Sequence, residues 1–167
     1  FGAGYSWFES KPRSSKYMNI LLIYSTNSGS TGAAAEIIGV TLKKKGHTIT
    51  IKQAFEATPQ ELAAFDLLIF GSPSWDYEGK EGQPLEDMTT FLSHLDGASL
   101  SGKKYAVFGL GDTSYTYFCG AVPIMETTLN AKGLAKTADS LMIDRYYANP
   151  NAQSIVSAWA EGLAKSL

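Results

Sequence analysis

The sequence predicts an α/β fold: a doubly wound, five-stranded parallel sheet with helices on both faces. Two observations carry this. Unbroken apolar runs such as Ile20-Leu21-Leu22-Ile23, Leu67-Leu68-Ile69-Phe70 and Tyr105-Ala106-Val107-Phe108 lack polar alternation, as strands covered on both faces do. Each run leads into a turn rich in Gly, Ser or Asp and then a helix-compatible stretch, the alternation that builds a parallel sheet with right-handed crossovers. Strands are expected near 19–25, 47–53, 66–71, 104–109 and 138–143. Helices are expected near 30–45, 85–94, 121–132 and 151–165, with a shorter one near 59–64. Asp66, Lys103 and Gly133 mark element boundaries.

At 167 residues, 44% hydrophobic and 18% charged, the chain reads as one domain with a full core. That domain is expected over 18–167. Residues 1–17 differ: they are rich in Gly, Ser and aromatics, and they precede Met18-Asn19-Ile20, which reads as a natural beginning. They read as an added segment or a linker. A docking tail, with Tyr5, Trp7 and Phe8 packing on a surface, is the sharper alternative. No apolar run nears the roughly 20 residues of a membrane span, and Phe1 to Tyr5 lack the regions of a signal peptide. The single cysteine, Cys119, allows no internal disulfide and fits a reducing cytoplasm. Neither nucleic-acid binding nor membrane insertion is expected, and a monomer is.

Ser25 to Thr31 is the first segment with chemistry. It follows the first strand and opens the first helix, so amides, hydroxyls and a helix dipole converge on one spot, which suits a phosphate. No Lys or Arg occurs between Lys16 and Lys43, so neutral donors would hold the anion. The loop lacks Gly-Lys-Ser/Thr and G-x-G-x-x-G, which argues against nucleoside triphosphates and pyrophosphates and leaves a single phosphate monoester. A plain N-capping turn explains the same residues equally well.

Two more strands tip the balance. The third runs into Ser72-Pro73-Ser74-Trp75-Asp76, and the fourth into Gly111-Asp112-Thr113-Ser114-Tyr115-Thr116-Tyr117-Phe118-Cys119. Both loops bring large aromatics to the carboxyl edge of the sheet, where such folds bind ligands. A planar ring between two aromatic faces, with its phosphate in the first loop, fits all three segments.

These residues resemble the flavodoxin family. Thr26-Asn27-Ser28-Gly29-Ser30-Thr31 is similar to its phosphate loop. Ser74-Trp75 resembles the loop whose Trp covers one face of an isoalloxazine, and Gly111 to Gly120 the segment whose Tyr covers the other. The resemblance runs from about Met18 to Leu167. It implies the flavodoxin-like strand order 2-1-3-4-5, the short form of the fold, and non-covalent FMN. The ring would lie between Trp75 and Tyr115, with Tyr117 and Phe118 nearby and the amides of Asp112 and Cys119 at its pyrimidine end. The function implied is low-potential one-electron transfer between a reductase and acceptor enzymes, without substrate turnover. An FMN-dependent NAD(P)H quinone reductase on the same fold, or the FMN domain of a larger reductase, is the alternative.

The expected site has two electrostatic features. Asp76, Glu78, Glu81, Glu86 and Asp87 crowd the Trp75 loop against Lys80 alone. Negative charge there disfavours an added electron, and the 76–87 loop offers a docking surface for redox partners beside the flavin edge. Asp76 also stands where many members have Gly, so a backbone flip there that needs positive φ is costlier. His47 and His94 read as surface or capping residues, and no Cys/His/carboxylate spacing suggests a metal site.

Overall fold

Alternate side chains of the first strand go to opposite faces of a sheet, and this sorts the core into two layers. The structure, a computed structural model, describes residues 17–167. The expected 1–17 extension, apart from Tyr17, lies outside the described residues. In chain order, β1 (Asn19–Tyr24), α1 (Ser30–Lys44) and β2 (Thr48–Gln53) lead to a 3-10 helix at Pro59–Ala64. Then come β3 (Leu67–Pro73), β4 (Trp75–Tyr77), β5 (Lys80–Gln83), α2 (Glu86–Ser93) and α3 (Gly97–Leu100). The chain ends with β6 (Lys104–Gly111), α4 (Ala121–Ala131), β7 (Ala135–Lys136), β8 (Leu141–Asp144) and α5 (Ala152–Ser166).

The main sheet is parallel, in the order β2-β1-β3-β6, and its fifth position is shared by β7 and β8. This is the expected order of five strands. Ile20, Leu22, Leu67, Ile69, Ala106 and Phe108 face α1 and α5, where Ala34, Ala35, Ile38, Val156, Ala160 and Leu163 meet them. Leu21, Ile23, Leu68, Phe70, Tyr105 and Val107 face α2 and α4, packing on Met88, Phe91, Val122, Met125 and Leu129. Each fully buried Leu, Ile or Val contributes roughly 1.5–3 kcal/mol, so the layers rather than helix propensity hold these elements.

Two expectations need correction, and one is refined. The fifth strand, expected at 138–143, is instead two short pieces flanking 137–140. Lys136 pairs with Tyr105 and Leu141 with Phe108, so the outer strand carries more residues than β6 across that gap and must bulge. The Trp159 indole N–H secures the bulge on the Asp139 carbonyl at 2.8 Å. The short helix expected near 59–64 is present as a 3-10 helix, opened by Pro59 and too short to sustain an α-helix. The 76–87 stretch, read as a loop, contains the β4–β5 hairpin. It turns at Glu78 and Gly79 with φ of 51° and 75°, a two-residue turn that suits the strand twist.

Candidate functional site

The carboxyl ends of β1, β3, β6 and β8 open on one edge, and the loops leaving them enclose a cavity of about 740 Å³. That volume is ordinary for a cofactor site.

In the β1–α1 loop the Ser25 amide donates to the Gly71 carbonyl at 3.0 Å, fixing the loop to β3. The Gly29 amide donates to Thr26 Oγ1 at 2.9 Å, and Gly29 takes φ 89° as the residue before α1. A left-handed turn here turns the chain into the helix, a conformation glycine adopts without strain. Among the described residues no side chain caps α1 and no acid sits in its first turn, and the Ser30, Thr31 and Gly32 amides at the helix start have no intrahelical acceptors. Ser28 and Ser30 hydroxyls lie 3.3 Å apart. Ser25 Oγ and Thr31 Oγ1 are buried without a partner among the described residues. A buried hydroxyl left unpaired is costly, and an anion accepting from it removes that cost. An uncapped helix start with free hydroxyls and no carboxylate suits a phosphate.

The β3 exit is stapled to its neighbours. Ser72 is buried; its hydroxyl donates to the Pro73 carbonyl and accepts the Leu85 amide at 3.1 Å. Ser74 Oγ accepts the Ala121 amide at 3.0 Å, joining this exit to the start of α4. Trp75 leads into the hairpin and stays 49% exposed. Nearby negative charge is felt at Tyr77, whose hydroxyl is pushed up in pKa by Glu78 and then Glu86. Glu81 is not a free acid: its carboxylate accepts the Thr116 amide at 2.9 Å, tying the hairpin to the β6–α4 loop.

That β6–α4 loop is a ladder of short hydrogen bonds. Asp112 Oδ1 accepts the Ser114 amide at 2.8 Å and its hydroxyl at 2.6 Å, and Arg145 Nε approaches at 3.0 Å. The Ser114 donors first, then the Arg145 guanidinium, hold the Asp112 carboxyl down at about 2. Asp144 accepts the Thr113 amide and hydroxyl at 2.9 and 3.0 Å. Tyr115 and Tyr117 stand out at 64% and 61% exposure, whereas Phe118 packs inward on the α2/α4 layer. Cys119 is fully buried at φ 50°, and burial pushes its thiol up to about 12.

Of the residues singled out from sequence, the cavity is lined by Asn27, Ser28, Ser30, Pro73, Ser74, Trp75, Asp76, Gly111, Asp112, Tyr115 and Tyr117. Thr26, Gly29, Thr31, Ser72, Phe118 and Cys119 lie in the same loops but do not line the cavity; Thr31, Ser72 and Cys119 are buried, and Gly29 is exposed. Sequence reading missed the whole β8–α5 side. Arg145, Tyr146, Tyr147 and Ala148 line the cavity with Glu81, Gly82 and Leu110. The Tyr147 hydroxyl donates to the Ser28 carbonyl at 3.3 Å, joining this loop to the first one. The pattern Asp144-Arg145-Tyr146-Tyr147 at the end of the last expected strand was the available signal. Among the described residues no cluster of His, Cys, Asp and Glu could hold a metal ion, and no helix is long and apolar enough to cross a membrane.

The chain is similar to known proteins across this whole region. A family model described as flavodoxin matches residues 22–159. A flavodoxin of Maridesulfovibrio salexigens is 35% identical over 148 residues, 88% of this chain and 97% of the relative. Oxidised flavodoxin 2 of Bacillus cereus superposes with a TM-score of 0.77 at 33% identity, covering 89% of this chain and 99% of that one. Fusobacterium nucleatum flavodoxin bound to flavin mononucleotide shares the fold at 17% identity, with a TM-score of 0.74 over 90% and 99% of the two chains. The chain belongs to the flavodoxin family, FMN-binding electron carriers rather than enzymes that turn over a substrate.

Proposed function

We propose that the cavity takes FMN with its phosphate against Thr26 to Thr31 and its ring among Trp75, Tyr115 and the Gly111–Cys119 loop. The observation that carries this reading is the pair of buried hydroxyls, Ser25 and Thr31, left without partners among the described residues at the start of α1, which no described side chain caps. Bound FMN supplies one-electron chemistry. The loops bind and orient it, and the aromatics keep water from most of its surface. Asp76, Glu81 and Asp112 set negative charge around the cavity, which disfavours an added electron and makes the reduced carrier a strong donor.

Redox proteins dock with flavodoxins. For this chain the docking face is the exposed rim of Trp75, Tyr115 and Tyr117 with the acidic 76–87 hairpin, which suits a basic partner. The chain would act as a cytoplasmic monomer, shuttling between a reductase and its acceptors. Titration of the apoprotein with FMN should quench flavin fluorescence at one equivalent. A Thr31→Ala chain should bind more weakly while remaining folded. Unchanged affinity would remove the phosphate assignment. The purified protein should not oxidise NADPH with a quinone, and turnover there would favour a reductase.

A further inference from the structure

We propose that Arg145 is a tuning residue, a fixed positive charge on the cavity wall that raises the potential of the flavin bound there. This rests on the FMN reading of the cavity. Among the described charged residues lining it, Arg145 is the one base beside Asp76, Glu81 and Asp112.

Its position is fixed by backbone. The Arg145 amide donates to the Gly111 carbonyl at 2.9 Å, locking it to the end of β6. Its φ of 46° is a left-handed conformation that arginine adopts at a cost, so the surrounding bonds impose it. The side chain lies with Nε 3.0 Å from Asp112 Oδ1 and 3.7 Å from Asp144 Oδ1, half-exposed at the cavity.

A tether alone does not explain the charge. Ser114 already gives Asp112 two hydrogen bonds, and Thr113 gives Asp144 two. The loops are therefore closed without the guanidinium. Only Nε finds protein acceptors among the described residues, which leaves the terminal nitrogens facing no protein partner. An electron arriving on the ring adds negative charge beside three carboxylates lining the cavity, and a nearby cation offsets part of that repulsion. The sequence pointed to acids around the ring with Lys80 alone against them. The structure adds their counterweight from the far end of the chain.

The test uses the FMN-loaded full chain with Arg145→Gln, Arg145→Met and Arg145→Lys. Spectroelectrochemical titration gives the potential of the bound flavin, the electrode supplying the electrons, and apoprotein titration gives the oxidised Kd. Together they yield the ratio of reduced to oxidised Kd. Both neutral variants should raise that ratio on the order of three- to tenfold, the effect of one charge at a partly solvated edge. Arg145→Lys should stay near the parent, and the difference should shrink at high salt. An unchanged ratio in the neutral variants, or equal shifts in Lys and Gln, overturns the proposal and leaves Arg145 a tether. If the parent apoprotein takes up no FMN, the cofactor reading itself fails, and that is seen before any variant is compared.

Discussion

A Cβ added to Gly120 would lie 2.7 Å from the Gly82 carbonyl oxygen and 3.0 Å from its Cα, so the β4–β5 hairpin and the β6–α4 loop meet backbone to backbone. Trp75 begins that hairpin, and Tyr115 and Tyr117 lie on that loop. At this point the two backbones meet directly, with Tyr117 Cβ packed beside both glycines and the Glu81–Thr116 hydrogen bond alongside, so this junction holds the two aromatic walls together. Gly82 itself takes φ 78°, which reinforces the requirement on the hairpin side.

Gly120→Ala should push these walls apart. Backbone cannot swing aside as a flexible side chain can, so overpacking of about 1–3 kcal/mol is expected. FMN affinity should fall roughly tenfold, and the melting temperature of the apoprotein should drop as well. Fluorescence titration and a thermal melt check both. A variant that binds and melts like the parent would show that the contact does not hold the walls together.

Thr31→Val separates ligand binding from folding. Thr31 Oγ1 is buried without a partner among the described residues, so replacing its hydroxyl with a methyl removes an unsatisfied group. The apoprotein should gain on the order of 1 kcal/mol in stability. A hydrogen bond to a charged phosphate is worth about 1.5–3 kcal/mol, so FMN binding should weaken by about one to two orders of magnitude. Denaturant unfolding and FMN titration should thus move in opposite directions. Losses in both would mean the hydroxyl serves the fold.

The sheet was legible because its strands are uninterrupted apolar runs, and such a pattern has no other economical home in a chain this size. The first three site loops were legible for the same reason, since each follows such a run. The hairpin was not: Glu78-Gly79 lacks the Asn-Gly or Asp-Gly signature, and Glu78 is carried to φ 51° by strand pairing. The β8–α5 wall was hidden differently. Arg145 and Tyr147 reach Asp112 and Ser28 only through the stacking of β8 on β6, a relation no local window contains. The split fifth strand likewise depends on a mismatch in register with β6.

Acid should loosen the β6–α4 loop through Asp112. Its folded carboxyl sits at about 2 against an ordinary 3.8, because Ser114 and Arg145 stabilise the ionised form. A depressed folded pKa contributes stability above 3.8 that is lost as pH falls toward 2. The difference in melting temperature between the parent and Asp112→Asn should therefore be constant above that window and shrink within it. Melts of both chains across this range check the sign. A difference that is flat down to about pH 2 would place the stabilisation elsewhere.

Cys119 should be inert in the folded protein despite lying in a cofactor loop. Its thiol is fully buried, packed with the α2/α4 layer and 3.9 Å from the Ile143 carbonyl. Burial raises it from 9.0 to about 12, so its thiolate fraction at neutral pH falls roughly a thousandfold. Alkylation by iodoacetamide, followed by mass, should be slower by about that factor or more in native buffer than in denaturant, since burial also blocks approach. FMN should change the rate only by suppressing opening of the loop. Fast modification of the native chain would mean that the loop opens readily, and that Cys119 is a reactive group rather than part of the packing beneath the ring site.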